Sequence, residues 1–210
     1  MTNAIVFLGI QGSGKGTQAK LLAEWTGYQH VNIGDLFREQ IASQSEIGQM
    51  VKSIIAKGDL VDDGTVFKLI SSSLKPSVAG IIFDGFPRNR AQAKFLMANY
   101  KLLRVYYLSL GQAEALKRIS SRRVCSNCGE NYNLISRIPR LEGICDLCGG
   151  ELKQRGDDSD AAIAQRVKEF YAQTYSLKKL FADSGLLKSI PASKGIIEIS
   201  EDIKEDIKSL

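Results

Sequence analysis

The sequence has a single histidine, His30, among 210 residues. It lies between a helical pattern and a short apolar segment, with no partner motif beside it. Packing or surface placement fits it better than acid–base catalysis. No apolar run approaches the about 20 residues that a membrane span needs. The first apolar run, Ala4-Ile5-Val6-Phe7-Leu8, is too short for a secretion signal and lacks a basic flank. The chain is therefore expected in the cytoplasm, with no membrane partner. The guanine-reading pattern Asn-Lys-x-Asp is missing, which argues against a GTPase. Internal repeats and low-complexity stretches are missing too. What remains has the composition of an ordinary folded protein, 44% hydrophobic and 24% charged, long enough for one sizeable core plus inserted subdomains.

Basic residues outnumber acidic ones, 28 to 23, for a net charge of +5. That balance suits nucleic acid or small polyphosphates as partners. The stretch Gly9-Ile10-Gln11-Gly12-Ser13-Gly14-Lys15-Gly16-Thr17 follows the first apolar run directly. It reads as a phosphate-binding loop leaving a buried strand. Glycines let successive backbone N–H groups curl around a phosphate without Cβ clashes. Lys15 adds a point charge, and the helix that follows aims its positive end at the same place. The pattern G-x-x-x-x-G-K-[ST] holds up to its last position, where Gly16 intervenes before Thr17.

Strand and helix patterns then alternate. Strands are expected at residues 4–8, 80–84 and 104–108 and, as a last short one, 196–199, with a short apolar segment at 31–33. Helices are expected over 14–26, 35–43, 46–57, 63–74, 89–98 and 112–120, with one long amphipathic helix over 159–182 and a closing helix from Glu201. The fold class is α/β, a parallel sheet flanked by helices, with ligands beyond the strand C-termini. The phosphate loop and Asp84 both fall there. Asp84 occupies the position of a carboxylate near Mg2+, and Arg88 follows it across Gly85-Phe86-Pro87.

Residues 122–155 differ in composition and read as an insertion. They contain Cys125-Ser-Asn-Cys128 and Cys145-Asp-Leu-Cys148, each followed by glycine. This spacing reads as a tetrahedral metal site of four thiolates, suited to Zn2+ and also to iron. Two disulfides and a redox pair are the alternatives; an intracellular chain argues against the first, and two copies at ribbon spacing against the second. Four cysteines close the metal's shell, so the role is structural.

Six motifs, in order, resemble those of adenylate kinases with a zinc-bearing lid. They are residues 9–17, Gly34-Asp35-Leu36-Phe37-Arg38, Asp84-Gly85-Phe86-Pro87-Arg88 with Gln92, Arg118-Ile-Ser-Ser-Arg122-Arg123, the four cysteines, and Arg155-Gly-Asp157-Asp158 with Arg166. The resemblance implies a core of residues 1–31, 62–120 and 159–210, a monophosphate-binding insert at 32–61 and a lid at 121–158. It implies the reaction MgATP + AMP to 2 ADP, with ATP, AMP and ADP as partners, no nucleic acid, and a monomer. By position, Gly12 to Thr17 with Lys15, Arg118 and Arg122 would hold ATP. Ile33, Arg38, Val61, Gly85, Arg88, Gln92, Arg155 and Arg166 would hold AMP. Lys15 and arginines 38, 88, 122, 155 and 166 would carry the transfer, and Asp84 a magnesium-bound water. Asp157 and Asp158 would fix the closed lid.

Three positions depart from that pattern. Gln11 replaces a common proline, Ile33 a threonine near the acceptor base, and Glu198-Ile199-Ser200 stands where an Asp-Gly turn is expected beside the ATP adenine. Ile33 keeps a UMP- or CMP-type kinase open as an alternative, while Gln92 favours AMP. A zinc-ribbon nucleic-acid-binding ATPase is the alternative of another class, but the ribbon's only aromatic residue is Tyr132.

Overall fold

The N-terminal apolar run becomes the middle strand of a five-stranded sheet. The computed structural model describes residues 1–210. Strands β1 (Asn3–Leu8), β2 (Gln29–Asn32), β3 (Gly80–Asp84), β4 (Lys101–Ser109) and β8 (Leu187–Pro191) pair in the order β2-β3-β1-β4-β8. Every pairing is parallel. Side chains alternate across a strand, so β1 feeds two cores. Ala4, Val6 and Leu8 pack on one face, Ile5 and Phe7 on the other. Helices cover both faces, which is why β1 and β3 read as unbroken apolar runs.

Helices α1 (Lys15–Thr26), α4 (Asp63–Ser73), α5 (Arg90–Asn99) and α6 (Gln112–Ser120) join the central strands. Between β2 and α4, helices α2 (Ile33–Ala42) and α3 (Glu46–Lys57) form a projecting pair. Side-chain caps start several of these helices: Asn32 accepts from Asp35 N, Ser45 from Gly48 N and Asp62 from Thr65 N. Beyond α6, β5 (Arg122–Cys125) lies between β6 (Asn131–Asn133) and β7 (Leu152–Lys153) in a small antiparallel sheet.

The C-terminal third corrects the sequence reading in two places. The long helix expected over 159–182 is interrupted. It runs as α7 (Asp160–Glu169), a π-helical turn (Phe170–Thr174) and α8 (Leu177–Asp183). Tyr175 N donates to Phe170 O across five residues, and the bulge lets the Thr174 hydroxyl donate to Arg88 O at 2.7 Å. The strand expected at 196–199 is instead the start of α9 (Ile196–Lys208). Its β-branched residues suggest a strand, but Ile196, Ile199, Ile203 and Ile207 recur at helical spacing, and Gly195 supplies an extended N-cap. The true edge strand is β8, Leu-Lys-Ser-Ile-Pro. Only its Ile190 is buried, and its proline is tolerated because it ends an edge strand.

The α2–α3 crossing depends on Gly48. A Cβ there would lie 2.0 Å from Gln40 O, a backbone atom. Gly48→Ala is expected to cost about 1–3 kcal/mol by overpacking and to lower the thermal midpoint by about 2–4 °C per kcal/mol. Gly156→Ala, where the added Cβ meets nothing within 4 Å, should leave it unchanged. Calorimetry on both variants checks the pair.

Candidate active site

All the nucleotide-site positions expected from the sequence line one cleft of about 1020 Å³, between the strand C-termini, the α2–α3 pair and the cysteine-bearing sheet. Its floor is the loop between β1 and α1. Gly9, Gly12 and Gly14 all have positive φ there. Lys15 folds back over this loop, donating to Gly9 O at 2.8 Å and Ile10 O at 3.0 Å. Burial pulls its amine down to about 8; Asp84 opposes the fall, and Arg88 and Arg122 add to it.

Asp84, at the end of β3, is buried and accepts from Asn32 Nδ2 at 2.6 Å. The β2–β3 register sets Asn32 beside Asp84. Burial works against the carboxylate, yet His30 beside it, Lys15 and Arg88 hold Asp84 below the usual carboxyl range. His30 Nε2 lies 3.8 Å from Asp84 Oδ2, and its side chain lines the cleft. Gly16 is also accounted for, because a Cβ at that position would come within 3.1 Å of Asp84 Oδ2. A side chain in place of Gly16 would press on the carboxylate, which would have to give by a few tenths of an ångström.

Four arginines reach the cleft on carboxylate tethers. Asp158, fully buried, takes Arg122 Nε at 2.9 Å and Arg166 Nη1 at 3.1 Å. Asp157 takes Arg166 and, at 3.5 Å, Arg38. Asp35 takes Arg38 and, at 3.2 Å, Arg155. Burial opposes the charge on Asp157, but Arg166, Arg38 and Arg155 hold its pKa low. Arg88 has no carboxylate partner; its Nε donates to Gly85 O at 2.9 Å. Burial, with Arg166 next, lowers Arg88 to about 10. Burial, with Arg122 and Arg38, does the same to Arg155. Both stay charged at neutral pH. Arg104 and Arg123 lie elsewhere: Arg104 pairs with Asp206 on α9, and Arg123 donates to Ser120 O and Arg122 O.

Ile33, Val61, Gly85 and Gln92 line the same cleft. Ile33 is buried as the first residue of α2. Arg118 lines it too, and donates to Ala192 O at 2.9 Å. Residues 193–197 and Ile199 line the cleft as well, so of the departing triplet Glu198-Ile199-Ser200 only Ile199 reaches it. The end of α3 is tied to α7 through Gln165 Nε2, which donates to Asp59 Oδ1 at 2.8 Å.

The four cysteines converge into one cluster rather than two bonded pairs. All four are free, and their sulfurs lie within 4.8 Å of one another. Cys125 and Cys148 are 3.5 Å apart, Cys128 and Cys145 3.6 Å. A tetrahedron with metal–sulfur bonds of about 2.3 Å has edges of about 3.8 Å, so the cluster fits a metal closely. The two turns repeat each other: Gly129 N donates to Cys125 O, and Gly149 N to Cys145 O. Burial opposes ionisation of Cys145, but Tyr132 and the N–H groups of Leu147 and Cys148 bring it to about 6. Tyr132 is buried here and offers no stacking face. Glu130, next to the first turn, pairs with Arg137 and with Lys20 on α1. No helix is long and apolar enough to cross a membrane.

A sequence profile of the adenylate kinase family matches residues 7–186. The chain is 40% identical to the adenylate kinase of Thermosipho africanus over 208 residues, 96% of each chain. It is 38% identical to that of Methanocella arvoryzae over 212 residues, 98% of each. It is 37% identical to that of Borreliella burgdorferi over 201 residues, 95% of each. A family match over residues 7–186, with relatives of this identity along nearly the whole chain, means that the chain belongs to the adenylate kinase family.

Proposed function

We propose that the chain transfers the γ-phosphoryl group of MgATP reversibly to AMP, giving two molecules of ADP. One observation carries this reading: Lys15 and arginines 38, 88, 122, 155 and 166 all line a single cleft that is large enough for two nucleotides. ATP and AMP together bring roughly −6, about −4 once Mg2+ is bound, and six cations answer that charge. No general base is required, because an AMP phosphate oxygen is already an anionic nucleophile. Catalysis reduces to in-line alignment and charge neutralisation.

On this reading Lys15 and the backbone N–H groups of Gly12 to Thr17 cradle the ATP phosphates. Arg118 lies along the adenine. Arg38 and Arg88 hold the AMP phosphate, and Arg122, Arg155 and Arg166 surround the group in flight. Val61 and Gly85 offer carbonyls to the AMP amine, and Gln92 reads the same base. Ile33 gives that base an apolar neighbour where a hydroxyl is common. Mg2+, arriving with ATP, supplies charge neutralisation at the phosphates; Asp84, buried beside Lys15 and oriented by Asn32, suits a water on that ion. Residues 32–61 and 121–158 act as two covers on a core made of the rest, and closing them excludes water as a competing acceptor. Zinc in the four-cysteine cluster would stiffen the second cover.

The direct test is ADP formation from MgATP with AMP, run beside UMP, CMP and GMP. Fast turnover with AMP that disappears in Lys15→Ala supports the assignment. Preference for a pyrimidine monophosphate would move the acceptor and point to Ile33 and Gln11.

The Lys15 amine must be charged to bind phosphate, and in the free protein it loses its proton at about 8. Thus kcat/KM for ATP should fall as pH rises through 8. Bound phosphates hold the proton on, so kcat should persist to higher pH. Parallel pH profiles for the two parameters would contradict this.

Chelating the metal should lower the thermal midpoint far more than it slows phosphoryl transfer in protein that remains folded. Loss of transfer in a fully folded, metal-free protein would make the site catalytic instead.

A further inference from the structure

Gln92 is the third residue of α5, buried at the cleft wall. Both ends of its amide are already engaged. Its Oε1 accepts from Arg88 N at 2.7 Å, and its Nε2 donates to Asp63 Oδ1 at 2.8 Å. Asn89 closes the network. Its Oδ1 accepts from Gln92 N at 2.8 Å, and its Nδ2 donates to the same Asp63 oxygen at 2.8 Å.

The chemistry of the partners fixes the amide's direction. A backbone N–H can only donate, so the atom facing Arg88 must be oxygen. An ionised carboxylate can only accept, so the groups facing Asp63 must be NH2. One N–H and one lone pair of Gln92 remain for a ligand. Oxygen and nitrogen therefore face the cleft in one order and not the reverse.

A 6-aminopurine presents an amine donor next to a ring-nitrogen acceptor, the complement of an amide with its oxygen and N–H side by side. A 6-oxopurine puts a carbonyl where the amine was. A freely flipping amide could turn to meet either base; a locked one cannot. Asp63 does not itself line the cleft. We infer that Asp63 is a specificity-determining positioning residue, whose carboxylate locks the Gln92 amide so that the acceptor pocket takes a 6-aminopurine monophosphate and refuses a 6-oxopurine one. The inference rests on the proposed AMP acceptor.

The test compares AMP and IMP as acceptors, with saturating MgATP, in the unmodified chain and in Asp63→Ala, Asp63→Asn and Asp62→Ala. Asp63→Ala removes the hold on Nε2 and leaves Arg88 N alone to orient the amide through its oxygen. Its KM for AMP should rise with little change in kcat, and its preference for AMP over IMP should fall about tenfold, the worth of one hydrogen bond. Asp63→Asn retains an oxygen that can accept from both amides and should restore most of the preference. Asp62→Ala removes the cap on Thr65 N and should lower the thermal midpoint without touching the preference. Asp63→Ser, too short to bridge, repeats the test if the alanine variant does not fold. Unchanged preference in Asp63→Ala, no recovery in Asp63→Asn, or an equal loss in Asp62→Ala would each overturn the inference. Failure of the unmodified chain to phosphorylate AMP would overturn the acceptor assignment itself, and the lock with it.

Discussion

Lys15 and the arginines crowded into one cleft repel one another, and the rest of the site is arranged around that repulsion. Water alone could screen them, but a site that excludes water cannot rely on it. Three aspartates take over. Asp35, Asp157 and Asp158 come from the start of α2 and from the segment leading into α7, and between them they hold Arg38, Arg122, Arg155 and Arg166. Each tether fixes an arginine that would otherwise lose long-chain entropy on meeting its ligand. Charge is thus kept in place, aimed inward and ready to be handed from carboxylate to phosphate.

The parts of this design carried by residue type at fixed spacing were legible in the sequence. The phosphate loop, Asp84, Arg88 and the cysteine pairs needed no tertiary information, while Arg38, Arg118, Arg122, Arg155 and Arg166 came only through the family resemblance. Strands β1 and β3 were legible because burial on both faces leaves no polar residue to confuse the pattern. Strand β8 was not, because an edge strand half open to water carries lysine and serine. Helix α9 was misread because isoleucine favours strands locally, while its spacing of three and four is settled only by packing against the sheet. Asn32 and His30 beside Asp84 depend on the β2–β3 register. Asp63 meets Gln92 across 29 residues of chain. Such pairings arise from how strands align, which no local motif encodes.

The cysteine-bearing sheet follows a different rule from the core. Its buried apolar cluster consists of Cys125, Tyr132, Cys145 and Leu152, while Ile135, Ile138, Leu141 and Leu147 face outward. So few buried side chains cannot hold a segment this size together by apolar burial alone. Two turns of the same shape, facing each other through four sulfurs, take the place of a core. The buried carboxylate of Glu130 reaches Lys20 on α1, which ties the small sheet to the helix that begins at the phosphate loop.

The start of α7 is where these units meet. Asp157 and Asp158 precede it and grip arginines from α2 and β5, while Gln165 within it holds Asp59 at the end of α3. One short stretch of chain therefore bears on both pockets of the proposed nucleotide site. Thermodynamics then imposes a symmetry on the pair: whatever factor an occupant of one pocket contributes to affinity in the other is returned, undiminished, in the opposite direction.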